Sequence, residues 1–150
     1  MKIHHSAICT RDLDRSLQFW RDGLGFVQVM DETFAGDWPT LFEARQPELR
    51  SIFLGDPADS SAGLVELVDF TGGIEDGEPA QGPPALGFFL VSVYLEIEPA
   101  LERLAALNFG ADVRRITVPP GVNMAVLHDP NGVRVELIDL GGAADPVGAG

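Results

Sequence analysis

At 150 residues with 45% hydrophobic content, the chain can bury a core as one compact domain or as two small, intimate modules, and a disordered chain is not expected. Ten Lys and Arg against 23 Asp and Glu leave a formal net charge of −13. So acidic a chain lacks the basic footprint that a nucleic acid or an anionic membrane requires. The plain reading of that charge is a solvated acidic surface; the sharper one is a cleft that steers cationic ligands or metal ions.

In chain order, Lys2 to Cys9 alternates in a way that suits a strand buried on both sides. Thr10 offers an N-cap, and Leu13, Leu17 and Trp20 at i, i+4 and i+7 predict an amphipathic helix over 12–22, stopped by Gly23 and Gly25. Phe26 to Met30 reads as a second strand. Gly36-Asp37-Trp38-Pro39 then opens an irregular stretch with a short helix over 40–45, and strands follow at 51–54 and 64–70. Thr71 to Ala85, rich in Gly, Pro and acidic residues, reads as a linker. Beyond it come a strand at 86–93, a helix over 96–108 with Ile97, Leu101 and Leu104 on its stripe and Pro99 in its first turn, and strands near 111–118, 123–128 and 133–140. Asp129-Pro130-Asn131-Gly132 is a tight turn in which Asp129 serves the turn itself. The Gly/Ala-rich tail, 141–150, is expected to be mobile.

The two halves repeat. Val65-Glu66-Leu67-Val68-Asp69 returns as Val135-Glu136-Leu137-Ile138-Asp139, each closing a run of strand, helix and further strands. The expected fold is therefore α+β: two tandem βαβββ modules, 1–70 and 86–140, joined by the linker 71–85, whose concave faces enclose a shared pocket. Glu66 and Glu136 occupy the same address in the two copies and, with His5 in the first strand, are the candidates for chemistry. Trp38, Phe42, Phe53, Phe88 and Phe89 offer aromatic pocket walls, Trp38 being the one expected to face a pocket or a dimer interface. His4 points away from His5 if the strand is regular, and His128 is expected at a surface or pocket rim. The single cysteine, Cys9, reads as a small buried core residue rather than a nucleophile, and agrees with a reducing compartment. No run of about 18 apolar residues is present, and the first residues lack a signal peptide's pattern, so a soluble cytoplasmic protein is expected.

His5 with Arg11-Asp12-Leu13-Asp14-Arg15-Ser16-Leu17, Phe19-Trp20 and Leu24-Gly25-Phe26, together with Asp129-Pro130-Asn131-Gly132 ahead of Glu136, resembles the vicinal oxygen chelate superfamily. That superfamily includes glyoxalase I, bleomycin-resistance proteins, epimerases and extradiol dioxygenases. The resemblance implies four ligand slots for a divalent metal, at His5, Glu66, Phe88 and Glu136, of which Phe88 cannot bind an ion. Its members suggest Zn, Ni, Co, Mn or Fe as the metal, Glu66 or Glu136 as a base, and a homodimer. One implied function is a metal-dependent lyase, isomerase or epimerase acting on a small oxygenated substrate by chelation and proton transfer. The other is a non-catalytic protein of the bleomycin-resistance type, sequestering a cationic or aromatic metabolite; a ring-cleaving dioxygenase ranks third.

Overall fold

The computed structural model describes residues 1–59, 61–77, 82–119 and 121–141. The expected tail, apart from Gly141, and part of the expected linker, 78–81, lie outside them. The chain divides into two compact units, Met1–Glu78 and Pro79–Gly150.

The first unit runs β1 (His5–Cys9), α1 (Leu13–Leu17), a π-helical turn (Gln18–Gly23), β2 (Val27–Ala35), α2 (Trp38–Phe42), β3 (Glu48–Gly55) and β4 (Leu64–Asp69). Its sheet has the order β1-β4-β3-β2, with β1 parallel to β4 and the other pairs antiparallel. The second unit runs β5 (Val91–Tyr94), α3 (Ile97–Ala106), β6 (Arg114–Val118), β7 (Val122–His128) and β8 (Arg134–Asp139), and repeats the pattern as β5-β8-β7-β6. The two expected βαβββ modules are thus present, with α2 inserted in the first.

Each sheet buries one face. In the first unit Ile8, Ile52, Leu54, Val65 and Leu67 pack with Leu17, Phe19 and Trp20 of the helical segment, and Phe19 and Trp20 are wholly buried. Burying that helical stripe removes several large apolar side chains from water, each worth about 1.5–3 kcal/mol. In the second unit Ala125, Leu127, Val135 and Leu137 do the same with Ile97, Ala100 and Leu104. Strand alternation then sends His5, Ala7, Cys9 and Glu66 to the opposite, open face of the first sheet, and Ser92, Arg134 and Glu136 to that of the second.

Several expectations need correction. β1 is not buried on both sides: Ile8 is buried, whereas His5, Ala7 and Cys9 are exposed, because only one face carries a helix. Asp12, not Thr10, caps α1, its side chain accepting from Arg15 N at 2.9 Å. Thr10 instead turns inward, where its hydroxyl meets that of Ser16 at 2.8 Å. β2 continues past Met30 to Ala35, because its backbone pairs along β3 even where its residues are polar. α2 starts at Trp38, capped by the Asp37 carboxylate on Thr40 N. β5 starts only at Val91, since Gly87 takes a φ of 110° and the residues before Val91 have no register with β8. Part of the expected linker is fastened to the first unit: Arg11 holds the Asp76 carboxylate and the Ile74 carbonyl, and Arg45 holds Glu75.

Candidate functional site

β1 and β4 lie side by side in parallel, with Ala7 opposite Glu66 and His5 opposite Leu64. Two residues of offset are within reach of an imidazole and a carboxylate on one face, and His5 Nε2 stands 3.1 Å from Glu66 Oε2. The other oxygen of Glu66, Oε1, accepts from the hydroxyl of buried Ser51 on β3. The Glu66 side chain is 13% exposed and that of His5 36%, so the pair is reachable from solvent on the open face. His5 Nδ1 lies 2.7 Å from His4 Nδ1, and both rings stand edge-on to Phe53, at 5.2 Å for His5 and 5.8 Å for His4. His4 therefore does not point away: it precedes β1, outside the strand alternation, and gathers on the same side as its neighbour.

An imidazole and a carboxylate 3.1 Å apart form an ion pair, and the same two donors could hold one divalent ion, since donors about 2.1 Å from an octahedral ion and at right angles lie about 3 Å apart. An ion on Nε2 requires the proton on Nδ1, and His4 Nδ1 is placed to accept it, the kind of outer partner that fixes a ligating imidazole's tautomer. Among the described residues no three His, Cys, Asp or Glu side chains are gathered as an ion would need. Cys9, on the same face, is no activated nucleophile: partial desolvation of its sulfur by neighbouring groups, and then the charge of Glu66, push its thiol above the ordinary range although the residue as a whole is exposed.

In the second unit Glu136 lies opposite Ser92 in the parallel β5–β8 pair, and its Oε2 accepts from the Ser92 hydroxyl at 2.7 Å. Superposing the two registers makes Ser92 the counterpart of Ala7, so the counterpart of His5 is Leu90. The slot assigned to Phe88 thus shifts by two residues and still holds no ligand. Phe88 is 71% exposed ahead of β5, whereas Phe89 beside it stacks under Arg134, whose guanidinium carbon is 4.7 Å from the ring centroid.

A cavity of about 580 Å³ opens on this same face, walled by Glu136, Arg134, Arg114, His128, Asp112 and Phe89 among others. His128 is in the wall, its Nδ1 2.6 Å from Asp112 Oδ2, and the same carboxylate accepts from the His128 backbone N–H at 3.2 Å. The sequence pattern alone does not single out the arginines or Asp112. Arg134 was legible in principle, since it sits two residues before Glu136 and alternation puts both on one face. Arg114 and Asp112 become visible only once β6 is set beside β7.

Of the expected aromatic walls, Phe53 touches the His5 ring. Trp38 and Phe42 stack on each other at 5.7 Å, Phe42 meets Phe70 edge-on, and Trp38 Nε1 donates to the Phe34 carbonyl. They form a separate, half-exposed aromatic group on the first unit.

Residues 2–137 match the family described as Glyoxalase/Bleomycin resistance protein/Dioxygenase superfamily. The chain is 31% identical over 145 residues to a lactoylglutathione lyase-like protein, terB, of Aspergillus terreus, with 91% of this chain and 74% of that protein covered. Among solved structures it resembles a glyoxalase family protein from Bacillus cereus at a TM-score of 0.74 and 14% identity, covering 93% of each chain. It also resembles glyoxalase I from Zea mays at a TM-score of 0.61 and 20% identity, over 91% of this chain and 44% of the maize chain.

Proposed function

The chain belongs to the glyoxalase, bleomycin-resistance and dioxygenase superfamily, and from that premise we propose that it is a metal-dependent lyase or isomerase of a small oxygenated substrate. The observation that carries the reading is the 3.1 Å spacing of His5 Nε2 and Glu66 Oε2. His5 and Glu66 are the ligands of the first module in this proposal, and Glu136 is the ligand of the second. When bound, a divalent ion such as Zn, Ni, Co, Mn or Fe supplies Lewis acidity to a substrate carbonyl and its neighbouring oxygen.

The chain's own groups then divide the work. One oxygen of Glu66 is held by Ser51 and the other faces His5, which suits a permanent ligand beside that imidazole. Glu136 has only Oε2 engaged, by Ser92, so Oε1 is the better placed to take a proton from a carbon next to the substrate carbonyl and return it to the neighbouring position. The curated relative is described as lactoylglutathione lyase-like, which supports a lyase-type proton transfer. A homodimer and a cytoplasmic setting belong to the same proposal.

The test is elemental analysis of untagged protein beside its His5→Ala and Glu136→Ala variants. The expected result is close to one ion per chain in the parent and a loss in both variants. Protein that takes up no Ni²⁺, Co²⁺, Mn²⁺ or Zn²⁺ on incubation would overturn the enzyme reading and leave a non-catalytic binding protein, the second reading, which the 580 Å³ cavity of the second unit favours.

A further inference from the structure

Strand order leaves one outer edge of each sheet open beside charged residues. β2 ends the order β1-β4-β3-β2 and β6 ends β5-β8-β7-β6, so among the described residues neither has a strand on its outer side. Such an edge presents unpaired backbone N–H and C=O groups, and proteins blunt it with a bulge, a proline or charge. Past the register shift between Gln28 and Met30, β2 runs in unbroken register with β3 from Met30 to Ala35, and β6 runs so with β7 from Arg114 to Val118. Neither stretch holds a proline, so charge alone guards them, and its sign differs: Asp31 and Glu32 on β2, Arg114 and Arg115 on β6.

The two charged pairs are disposed alike. One member of each is tied inside its own unit, Asp31 by Arg50 and Arg115 by Glu98. The other members, Glu32 and Arg114, are exposed and in no ion pair among the described residues. Both stand on the open faces. Glu32 is opposite Ser51, whose hydroxyl reaches Glu66, and Arg114 is opposite Val126, itself opposite Glu136.

We propose that β2 of one copy of this chain pairs edge to edge with β6 of a second copy, antiparallel, with Glu32 opposite Arg114 across the join. β2 and β6 hold equivalent places in sheets of the same strand order and directions. Half a turn of one copy about the sheet normal therefore sets the two edges antiparallel with both open faces on one side. In the register that sets Glu32 against Arg114, Asp31 falls against Arg115 and Met30 against Ile116, and side chains directly opposite share a face. A parallel register sets Thr33 against Arg115 and loses the second pair of opposite charges. Pairing β2 with β2, or β6 with β6, brings like charges together. Two chains of net charge −13 repel as wholes, so this local complementarity selects the contact. Arg114 and Ile116 also wall the 580 Å³ cavity that holds Glu136, and the join brings the partner's Glu32 and Met30 to its rim. The inference goes beyond the proposed function, since it names the surface on which copies meet and needs neither an ion nor turnover.

The experiment is sedimentation of the full chain over a range of concentrations, with EDTA present, beside Glu32→Lys, Arg114→Glu and an equimolar mixture of those two variants. The parent is expected to gain mass as concentration rises, since a contact between unlike edges closes into a ring or extends into a chain. Each variant alone should associate about tenfold or more weakly, because a cross-strand attraction becomes a repulsion. The mixture should recover association, since its two substituted edges are again opposite in charge and so are its two unaltered ones. Glu102→Lys, exposed on α3 and equal to Glu32→Lys in its change of net charge, should behave as the parent. A parent that stays monomeric, a charge-reversed edge that associates as the parent does, a mixture no stronger than its parts, or Glu102→Lys weakening association as Glu32→Lys does would overturn the edge pairing. A dimer that persists in every variant would keep the homodimer of the proposed function and remove this interface, and EDTA separates the result from any metal.

Discussion

Asp129→Ala should destabilise the second unit by about 2 kcal/mol. Asp129 is 5% exposed, and its carboxylate closes the β7–β8 turn by accepting from the backbone N–H of Asn131 at 2.8 Å and of Val133 at 2.9 Å, with Asn131 Nδ2 on the other oxygen at 3.1 Å. Hydrogen bonds to a charged acceptor are worth about 1.5–3 kcal/mol each, so deleting the carboxylate forfeits more than one such contribution. Asn131 and Val133 are only half-buried, and water recovers part of it. The backbone contacts Asp129 N to Val133 O and Gly132 N to Asp129 O remain to hold the turn shape. Asp129→Asn keeps an acceptor for the two backbone donors and loses the charge-assisted contact on Oδ2, a cost of about 1 kcal/mol. Urea unfolding followed by circular dichroism, with hydrogen exchange at β7 and β8 amides, measures both. A change below about 0.5 kcal/mol for alanine, the size of an ordinary surface substitution, would refute the reasoning; so would asparagine costing as much as alanine. The turn bears on function, since the same register sets His128 opposite Arg134 and Val126 opposite Glu136.

Trp20 is fully buried with Phe19 and Phe26 edge-on at 5.4 and 5.7 Å, so Trp20→Ala should cost about 3–5 kcal/mol in a urea titration. The Arg50 guanidinium, paired with Asp31 through contacts of 2.8 and 2.7 Å, holds that carboxyl below its ordinary range. A depressed folded pKa means stability present above the unfolded carboxylate range and lost as pH falls through the lowered value. Arg50→Gln should therefore lose no more than about 1 kcal/mol at neutral pH, the scale of an exposed pair, and the gap from the parent should close in strong acid when unfolding is measured across pH. Ser51→Ala removes the hydroxyl that orients Glu66 and should weaken binding of the proposed ion by about 10–100-fold in a competition assay with a chromogenic chelator, without loss of fold.

Much of the architecture was legible because it rests on alternation and repetition. The Val-Glu-Leu repeat located β4 and β8, the apolar stripe located both helices, and Asp129 to Gly132 located the last turn. What failed were the boundaries. Asp31, Glu32 and Thr33 carry no apolar signal, yet they pair with β3 and extend β2. Phe88, Phe89 and Leu90 carry a strong one, yet they lie outside any ladder. Backbone pairing is decided by the neighbouring strand, which a linear window does not contain.

The same division governs the candidate site. The chain alone determined that two glutamates stand at repeated addresses and that a histidine lies in the first strand, since residue type and period are properties of the sequence. Only the tertiary structure decided that His5 meets Glu66 at 3.1 Å, that Leu90 rather than Phe88 answers to His5, and that Arg114, from a strand two places away, shares a cavity with Glu136. The reason is geometric: within a strand, alternation assigns a side chain to a face, but which side chains of different strands become neighbours depends on strand order and register.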